Sequence, residues 1–232
     1  MSFLQSAIEL CGLALNIVLL VLLLRGFLPK FSLLFAYNLA QFLIVLIEKV
    51  LSQAGDRGSD LYSHVYWTSE VIWDFLLFLL VIELIQRALA GRPERELARK
   101  ILLVVLVAVV VLPFLLFHDR PLFQSHWFSG ASQLINFGAA ILTLVLWGAL
   151  IASRNRDTQL MTVCAGLGLT VTGAAFAWGI RQLASGKNEM ALDVRNIADV
   201  FAAVTYIAGL ALWCWAFRSP PQAAPRSTVP LG

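Results

Sequence analysis

The strongest constraint on this chain is a series of long apolar runs separated by short polar breaks. An α-helix needs about 20 mostly apolar residues to cross the ~30 Å hydrocarbon core of a bilayer. The sequence contains seven such runs, at 3–24, 31–50, 64–88, 101–117, 128–152, 159–183 and 195–217. It therefore predicts an all-α polytopic membrane protein, with a single seven-transmembrane-helix bundle over 1–217 and a disordered, proline-containing tail over 218–232.

Composition agrees with a membrane class and excludes several others. The chain is 59% hydrophobic and 13% charged, whereas soluble domains average about 45–50% apolar and about 25% charged. The expected partner is the lipid bilayer. Because the net charge is only +3 and the basic residues are scattered, nucleic acid is not an expected partner. The three cysteines lie singly inside apolar runs and are interpreted as small buried side chains.

The distribution of basic residues predicts the orientation. Eleven of the 17 Lys and Arg residues fall in the breaks after runs one, three and five and in the tail. The positive-inside rule then places the N-terminus outside and the C-terminus in the cytoplasm, in a bacterial inner membrane. No basic residue precedes the first run, so that run is expected to remain as a spanning helix. The basic loop 89–100 is a candidate contact for a membrane or cytoplasmic protein partner.

Polar side chains inside the runs recur at helical spacing and predict a polar seam within the bundle. Such groups are costly in lipid, so they are expected to face the interior or a cavity. Glu70 and Asp74 lie one turn apart, and the fourth run, which has no polar side chain, is expected at the periphery. The candidate ligand- or cation-binding residues are Glu9, Gln41, Glu70, Asp74, Gln133, Asn136, Arg181 and Asp199. Most should lie in the outer half, forming a cavity that opens outward.

Two interpretations of these acids remain open. Several carboxylates in one low-dielectric space are typical of proton relays and cation sites. Alternatively, Arg181, Arg195 or Lys49 neutralise the acids in a structural network completed by amide groups. Trp73 and Trp178 lie inside their runs, where they either line a pocket or face lipid. Glu83 precedes Arg87 by four residues and is predicted to pair with it.

Catalytic and cofactor sites are not predicted. The three histidines stand at breaks or run ends without a partner at i+3 or i+4, so zinc and bis-histidine haem ligation are not expected. The GxSxG and HExxH motifs are absent. The last run contains no lysine, which excludes a retinal Schiff base there. No catalytic residue, metal or cofactor is assigned, and the sequence does not predict an enzyme.

One segment resembles a family of small bacterial seven-helix membrane proteins that has no established activity. The resemblance covers 29–88 and is strongest over LYSHVYWTSE at 61–70 and VIE at 81–83. Members similarly open their third span with aromatic residues, followed by Trp and Glu, and end it with a glutamate. The resemblance implies the seven-helix topology and directs attention to Glu70 and Glu83, but it implies no chemistry.

The leading functional hypothesis is a receptor-like membrane sensor that binds a small ligand or cation in the outer cavity. One alternative is a proton- or cation-coupled transporter that uses Glu70 and Asp74. Another is a non-catalytic membrane subunit of a larger complex, for which the short loops are suitable. These hypotheses differ in whether the polar seams converge on one cavity and whether a polar path reaches both ends of the bundle.

Overall fold

Seven α-helices make up the structure, a computed structural model that describes residues 2–53, 60–118, 125–152, 157–183 and 189–218. The helices are α1 (Ser2–Leu24), α2 (Ser32–Gln53), α3 (Asp60–Ala88), α4 (Arg95–Leu116), α5 (Ser125–Ala152), α6 (Thr158–Leu183) and α7 (Glu189–Phe217). The predicted tail from residue 219 onward lies outside the described residues, as does the side chain of Trp178.

The predicted all-α class is confirmed, and within the described ranges six helices are long and apolar enough to cross a membrane: α1, α2, α4, α5, α6 and α7. Several helices extend past the predicted runs, most clearly α4, which begins at Arg95, and α7, which begins at Glu189. Charged residues with good helix propensity continue these helices beyond their apolar parts. The remaining helix, α3, carries Glu70, Asp74 and Glu83 within its length and is therefore less apolar than the others.

The third helix is the central one of the bundle. It contacts α2, α4, α5 and α6, and its second half contributes a large share of the fully buried apolar side chains, including Phe78, Val81 and Leu84. In contrast, α4 contacts only α3 and α5 among the described helices, and most of its apolar side chains are exposed. The fourth helix therefore lies at the periphery of the bundle, as expected from the lack of polar residues in the fourth apolar run.

Polar contacts join the break after α1 to the start of α6, the break after α3 to the last residue of α5, and the start of α6 to the last turn of α7. Lys30 Nζ lies 3.3 Å from Asp157 Oδ2, and Gln159 Nε2 donates to Ala216 O at 3.3 Å. The Arg92 guanidinium donates to the carbonyl of Ala152. We call this the basic end of the bundle, and the other end the opposite end. The breaks that hold most of the predicted basic clusters therefore meet at one end.

The predicted Glu83–Arg87 pair is present at the basic end. Arg87 Nε donates to Glu83 Oε1 at 3.1 Å, and the guanidinium carbon lies 4.7 Å from the centre of the Phe31 ring. Phe31 in turn makes an edge contact with Phe217, with ring centres 5.0 Å apart. The pair is thus held against an aromatic cluster formed by Phe31, which directly precedes α2, and Phe217 of α7.

The most extensive helix contact joins α6 to α7 and depends on glycine. A Cβ at Gly166 would lie 2.9 Å from the carbonyl oxygen of Gly209 and 2.6 Å from Trp213 Nε1. Trp213 is fully buried at this seam and donates from Nε1 to the Val163 carbonyl at 2.9 Å. The small residues of α6 therefore allow close backbone approach, as in the small-residue interfaces of membrane helices.

Candidate functional site

A cavity of about 390 Å³ lies in the part of the bundle between its middle and the opposite end. Five helices line it, namely α2, α3, α5, α6 and α7. Five of the eight candidate residues from the sequence line it together: Glu70, Asp74, Gln133, Asn136 and Arg181. Its volume lies within the usual range for small-molecule sites, about 300–1,000 Å³.

Asp74 is the most deeply placed acid of the cavity. It is the middle residue of the 29-residue α3, which puts it about 21 Å from either end of that helix. Its side chain is only 5% exposed, and it accepts a hydrogen bond from the Ser132 hydroxyl. The Asn136 side chain also lies within hydrogen-bonding reach. Two turns of α5 therefore hold the Asp74 carboxylate in a fixed position on the cavity wall.

Glu70 lies one turn nearer the opposite end and is partly buried. Its Oε2 atom is inaccessible to solvent and has no hydrogen-bond donor among the described residues. Arg181 is close enough to interact electrostatically with Glu70, but its guanidinium pairs with Asp199, with Nε 2.7 Å from Oδ1. Because that pair is about half exposed on both sides, it forms a polar rim to the cavity and contributes little to stability.

Tyr37 and Trp73 form an aromatic wall of the cavity with unused polar atoms. Their rings stack with centres 5.8 Å apart, and Tyr37 is fully buried. Neither the Tyr37 hydroxyl nor the Trp73 indole N–H makes a hydrogen bond of normal geometry within the described chain. The two groups lie close enough to interact with each other, and a polar ligand group or water at this wall would complete their hydrogen bonding.

The other three candidate residues lie outside the lining. Glu9 is exposed on α1, no described residue of which lines the cavity. Asp199 reaches the cavity only through its pair with Arg181. Gln41 has a buried Oε1 without a donor and lies near the Tyr206 hydroxyl, which also accepts from Asn16 Nδ2 at 3.3 Å. Gln41 and Asn16 thus stand behind Tyr206, which lines the cavity.

Some of the polar residues that suggested a seam are satisfied by their own helices. Thr143 donates to the Ala139 carbonyl at 2.8 Å, and Asn38 Nδ2 donates to the Leu34 carbonyl at 2.7 Å. Such bonds to the preceding turn satisfy a buried polar group without any cavity. The structural interpretation therefore holds for Thr143 and for the amide nitrogen of Asn38, whose Oδ1 is buried without a partner among the described residues, whereas Asp74 and Asn136 line the cavity.

Sequence reasoning missed Ser132 and Tyr37 as part of the site. Serine and tyrosine are common in membrane helices, and neither is costly enough to mark a functional position by itself. The signal for Ser132 was its spacing, since it precedes Asn136 by one turn and so shares its face. Trp73, for which a pocket and a lipid-facing position were both open, lines the cavity.

Apolar side chains close the bundle between the cavity and the basic end. Leu34, Phe78, Val81, Leu84 and Leu146, from α2, α3 and α5, are all fully buried. The polar lining does not continue through this layer among the described residues. In this conformation the cavity is therefore separated from the basic end.

Replacing Tyr37 by phenylalanine is expected to leave the free energy of unfolding unchanged or to raise it by up to about 1 kcal/mol. The hydroxyl makes no hydrogen bond of normal geometry that would be lost, and its desolvation is relieved. Unfolding of the purified protein in mixed micelles measures this. Tyr206→Phe is the matched control, because its hydroxyl accepts from Asn16, and it should lose about 1 kcal/mol. A larger loss for Tyr37→Phe than for Tyr206→Phe would contradict the assignment.

No group of three or more His, Cys, Asp or Glu side chains suited to a metal ion occurs in the part of the chain that the structure describes. The cavity instead combines two acids, amides, hydroxyls and aromatic rings, which suit an organic ligand with hydrogen-bonding groups. No known protein family, curated protein or solved structure matches this chain, so the resemblance of 29–88 to a bacterial family stays a prediction.

Proposed function

We propose that this protein is a receptor-like seven-helix membrane sensor that binds a small ligand in the cavity around Asp74. The observation that carries the proposal is the convergence of five helices on one cavity that contains Glu70, Asp74, Gln133, Asn136 and Arg181. The unpaired polar atoms of Tyr37, Trp73 and Glu70 support it, because a bound polar group would satisfy them.

In this proposal α3 crosses the membrane as the seventh span. The other six helices are apolar enough to face lipid, whereas Glu70, Asp74 and Glu83 of α3 are at least partly buried among its neighbours. The positive-inside rule then puts the basic end in the cytoplasm and the cavity in the outer half, in a bacterial inner membrane. The predicted loop 89–100, whose part from Arg95 onward is the start of α4, would be accessible to a membrane or cytoplasmic partner.

A receptor is favoured over a proton- or cation-coupled transporter by the apolar layer below the cavity. A transporter must open a path to both ends of the bundle. The layer contains Phe78, Val81 and Leu146, all fully buried, so such a path would require repacking several helices. A receptor needs only a site on one side and a change that reaches the other end.

The test is a ligand screen on purified protein that includes organic cations, anions and neutral polar compounds. A ligand present at 100 times its Kd stabilises the folded state by about 2.7 kcal/mol. At least one compound is expected to stabilise the wild type in thermal unfolding and to fail with Asp74→Asn. Glu9→Gln, which removes an exposed acid outside the cavity, serves as the matched control and should retain the stabilisation.

Signalling is tested with the same compound by hydrogen–deuterium exchange. A sensor should change amide exchange at loop 89–100 when the ligand binds, although that loop lies at the other end from the cavity. If no compound in any class stabilises the wild type, the ligand-binding function is wrong. If a compound binds but amide exchange at 89–100 does not change, the sensor function is wrong. The alternative of a non-catalytic membrane subunit of a larger complex is then favoured.

A further inference from the structure

The structure carries a more specific inference about the ligand, which rests on the proposed binding function. We infer that the cavity takes an amphiphilic organic amine, and that the amine enters sideways from the bilayer through a gap between α5 and α6. Three independent features support this: the charge balance of the cavity, the kind of hydrogen-bonding atoms left unused, and the exposure of its side wall.

Counted with both acids ionised, the formal charge of the cavity lining is negative. Glu70 and Asp74 both line it, and Arg181 is the cation among its lining residues. The Arg181 guanidinium is already bound to Asp199, with Nε and one terminal nitrogen at 2.7 and 2.5 Å from the same carboxylate oxygen. That pair is internally neutral, so the two cavity acids lack a full counter-charge from the lining. A cationic ligand would supply it.

The acceptor atoms of the two cavity acids are not fully used by the lining. Glu70 Oε2 has no donor among the described residues, whereas the Tyr37 hydroxyl and the Trp73 indole N–H lie close enough to interact with each other. Asp74 has acceptor capacity beyond its bond from Ser132. An ammonium group carries three N–H donors and no acceptor, which matches this surplus. The neighbouring faces of Tyr37 and Trp73 add the aromatic surface that attracts organic cations.

One side of the cavity is apolar and open. Phe137 of α5 and Ala174 and Ala175 of α6 line the cavity, and all three are also exposed on the outer surface of the bundle. Phe137 is 67% exposed and belongs to a stripe with Ile141 and Leu144, which are 47% and 73% exposed. This stripe, at i, i+4 and i+7, is the lipid-facing side of α5.

The gap therefore opens toward lipid rather than water. Phe137 lies near the middle of the 28-residue α5, at a depth where a bilayer would surround it. A ligand that passes through this gap must dissolve in the hydrocarbon region, and it must carry a polar group to reach Asp74. An apolar tail against Phe137 and Ala174, with an ammonium group against the acids, satisfies both conditions. A hydrated inorganic cation satisfies only the second.

The experiment compares three probes that share the same alkyl chain and differ in their head group: n-octylamine, n-octanol and n-octanoate. Binding of each radiolabelled probe is measured on the full chain in lipid nanodiscs, with empty nanodiscs subtracted. Octylamine is expected to bind saturably, with an affinity roughly tenfold or more above that of octanol, because its ammonium group forms charge-assisted hydrogen bonds with the cavity acids. Octanoate is expected to bind more weakly than octanol, because the two acids repel it.

Variants of the acids test the head-group site. Glu70→Gln and Asp74→Asn should each lower octylamine affinity roughly tenfold or more, whereas Glu9→Gln should not change it. Glu70→Gln is the safer variant for folding, because Glu70 Oε2 has no protein donor to lose. Far-UV circular dichroism and thermal unfolding of each variant confirm that the fold is retained.

A bulky residue in the gap tests the entry route. Ala174→Trp should slow octylamine association roughly tenfold, the scale of a partly blocked route, and it replaces an exposed side chain, so the helix core is untouched. Leu144→Trp is the matched control, because Leu144 is on the lipid-facing stripe of α5 and does not line the cavity. Its association rate should equal that of the wild type.

The possible results separate the inference from the function on which it rests. If octanol binds as tightly as octylamine, or if sodium or ethylammonium ions bind and octylamine does not, the amphiphilic amine is wrong while the cavity remains a ligand site. If Ala174→Trp and Leu144→Trp behave alike, the lateral route is wrong. If no probe and no compound of the wider screen binds, the proposed function itself fails.

Discussion

Replacing Trp213 by alanine is expected to lower the free energy of unfolding by about 3–5 kcal/mol, the range for truncating a large aromatic side chain in a packed interior. Trp213 is fully buried at the seam between α6 and α7. The variant leaves a void beside Gly166 and removes the hydrogen bond from Nε1 to the Val163 carbonyl. It also removes the edge contact with Tyr37, whose ring centre is 6.1 Å away.

The matched control is Trp215→Ala, two residues further along the same helix. Trp215 is 60% exposed, and its ring lies under the Arg218 guanidinium at 3.9 Å. Since an exposed cation–π contact contributes about 0.5–1 kcal/mol, Trp215→Ala should lower the free energy of unfolding several-fold less than Trp213→Ala does. Unfolding by sodium dodecyl sulfate in mixed micelles, followed by circular dichroism, measures both variants. Equal losses for the two tryptophans would contradict the packing described for the seam.

Adding a single methyl group at Gly166 is expected to destabilise the protein by about 2 kcal/mol, within the usual range for overpacking. The new Cβ would lie 2.9 Å from the backbone oxygen of Gly209 and 2.6 Å from Trp213 Nε1. A backbone oxygen within a helix cannot move aside as the end of a flexible side chain can. The two helices must therefore separate, and close contact is lost along the seam.

Gly148→Ala is the control for this variant, because a Cβ added at this position of α5 would meet no heavy atom of a neighbouring element within 4 Å. Alanine is preferred over glycine inside a helix by about 1 kcal/mol, so this variant should be neutral or stabilising. The two glycine-to-alanine changes are thus expected to have opposite signs in the same unfolding assay. A neutral effect at Gly166 would mean that α6 and α7 are not in close contact there.

The sequence was sufficient to predict the helices because a bilayer imposes their length. Their boundaries were less accurate, since charged residues such as those after Arg95 continue a helix past its apolar part. Part of the site was also predictable: Glu70 and Asp74 share a face of α3, and Gln133 and Asn136 share a face of α5. Both faces line the cavity. A charged or amide group in an apolar run is costly enough to signal its position.

The neighbours of each helix could not be predicted from periodicity. Glu9 belongs to the same stripe as Asn16, but α1 packs against α7 and α2, behind the cavity wall. Asn16 consequently reaches Tyr206, whereas Glu9 remains exposed. A stripe defines which side of a helix is polar, but the cavity depends on which helices surround α3. That arrangement follows from the packing of small and large side chains across pairs of helices.

Tyr37 connects two parts of the molecule that have been described separately. It lines the cavity beside Trp73, and its edge contacts Trp213 at the seam of α6 and α7. Thermodynamic linkage therefore couples the two parts. If binding of the proposed ligand changes the packing equilibrium at the seam by some factor, a change in that packing alters the ligand affinity by the same factor. For the proposed ligand, the change in affinity when the helix pair is loosened and the change in packing when the ligand binds are then two measurements of one coupling free energy.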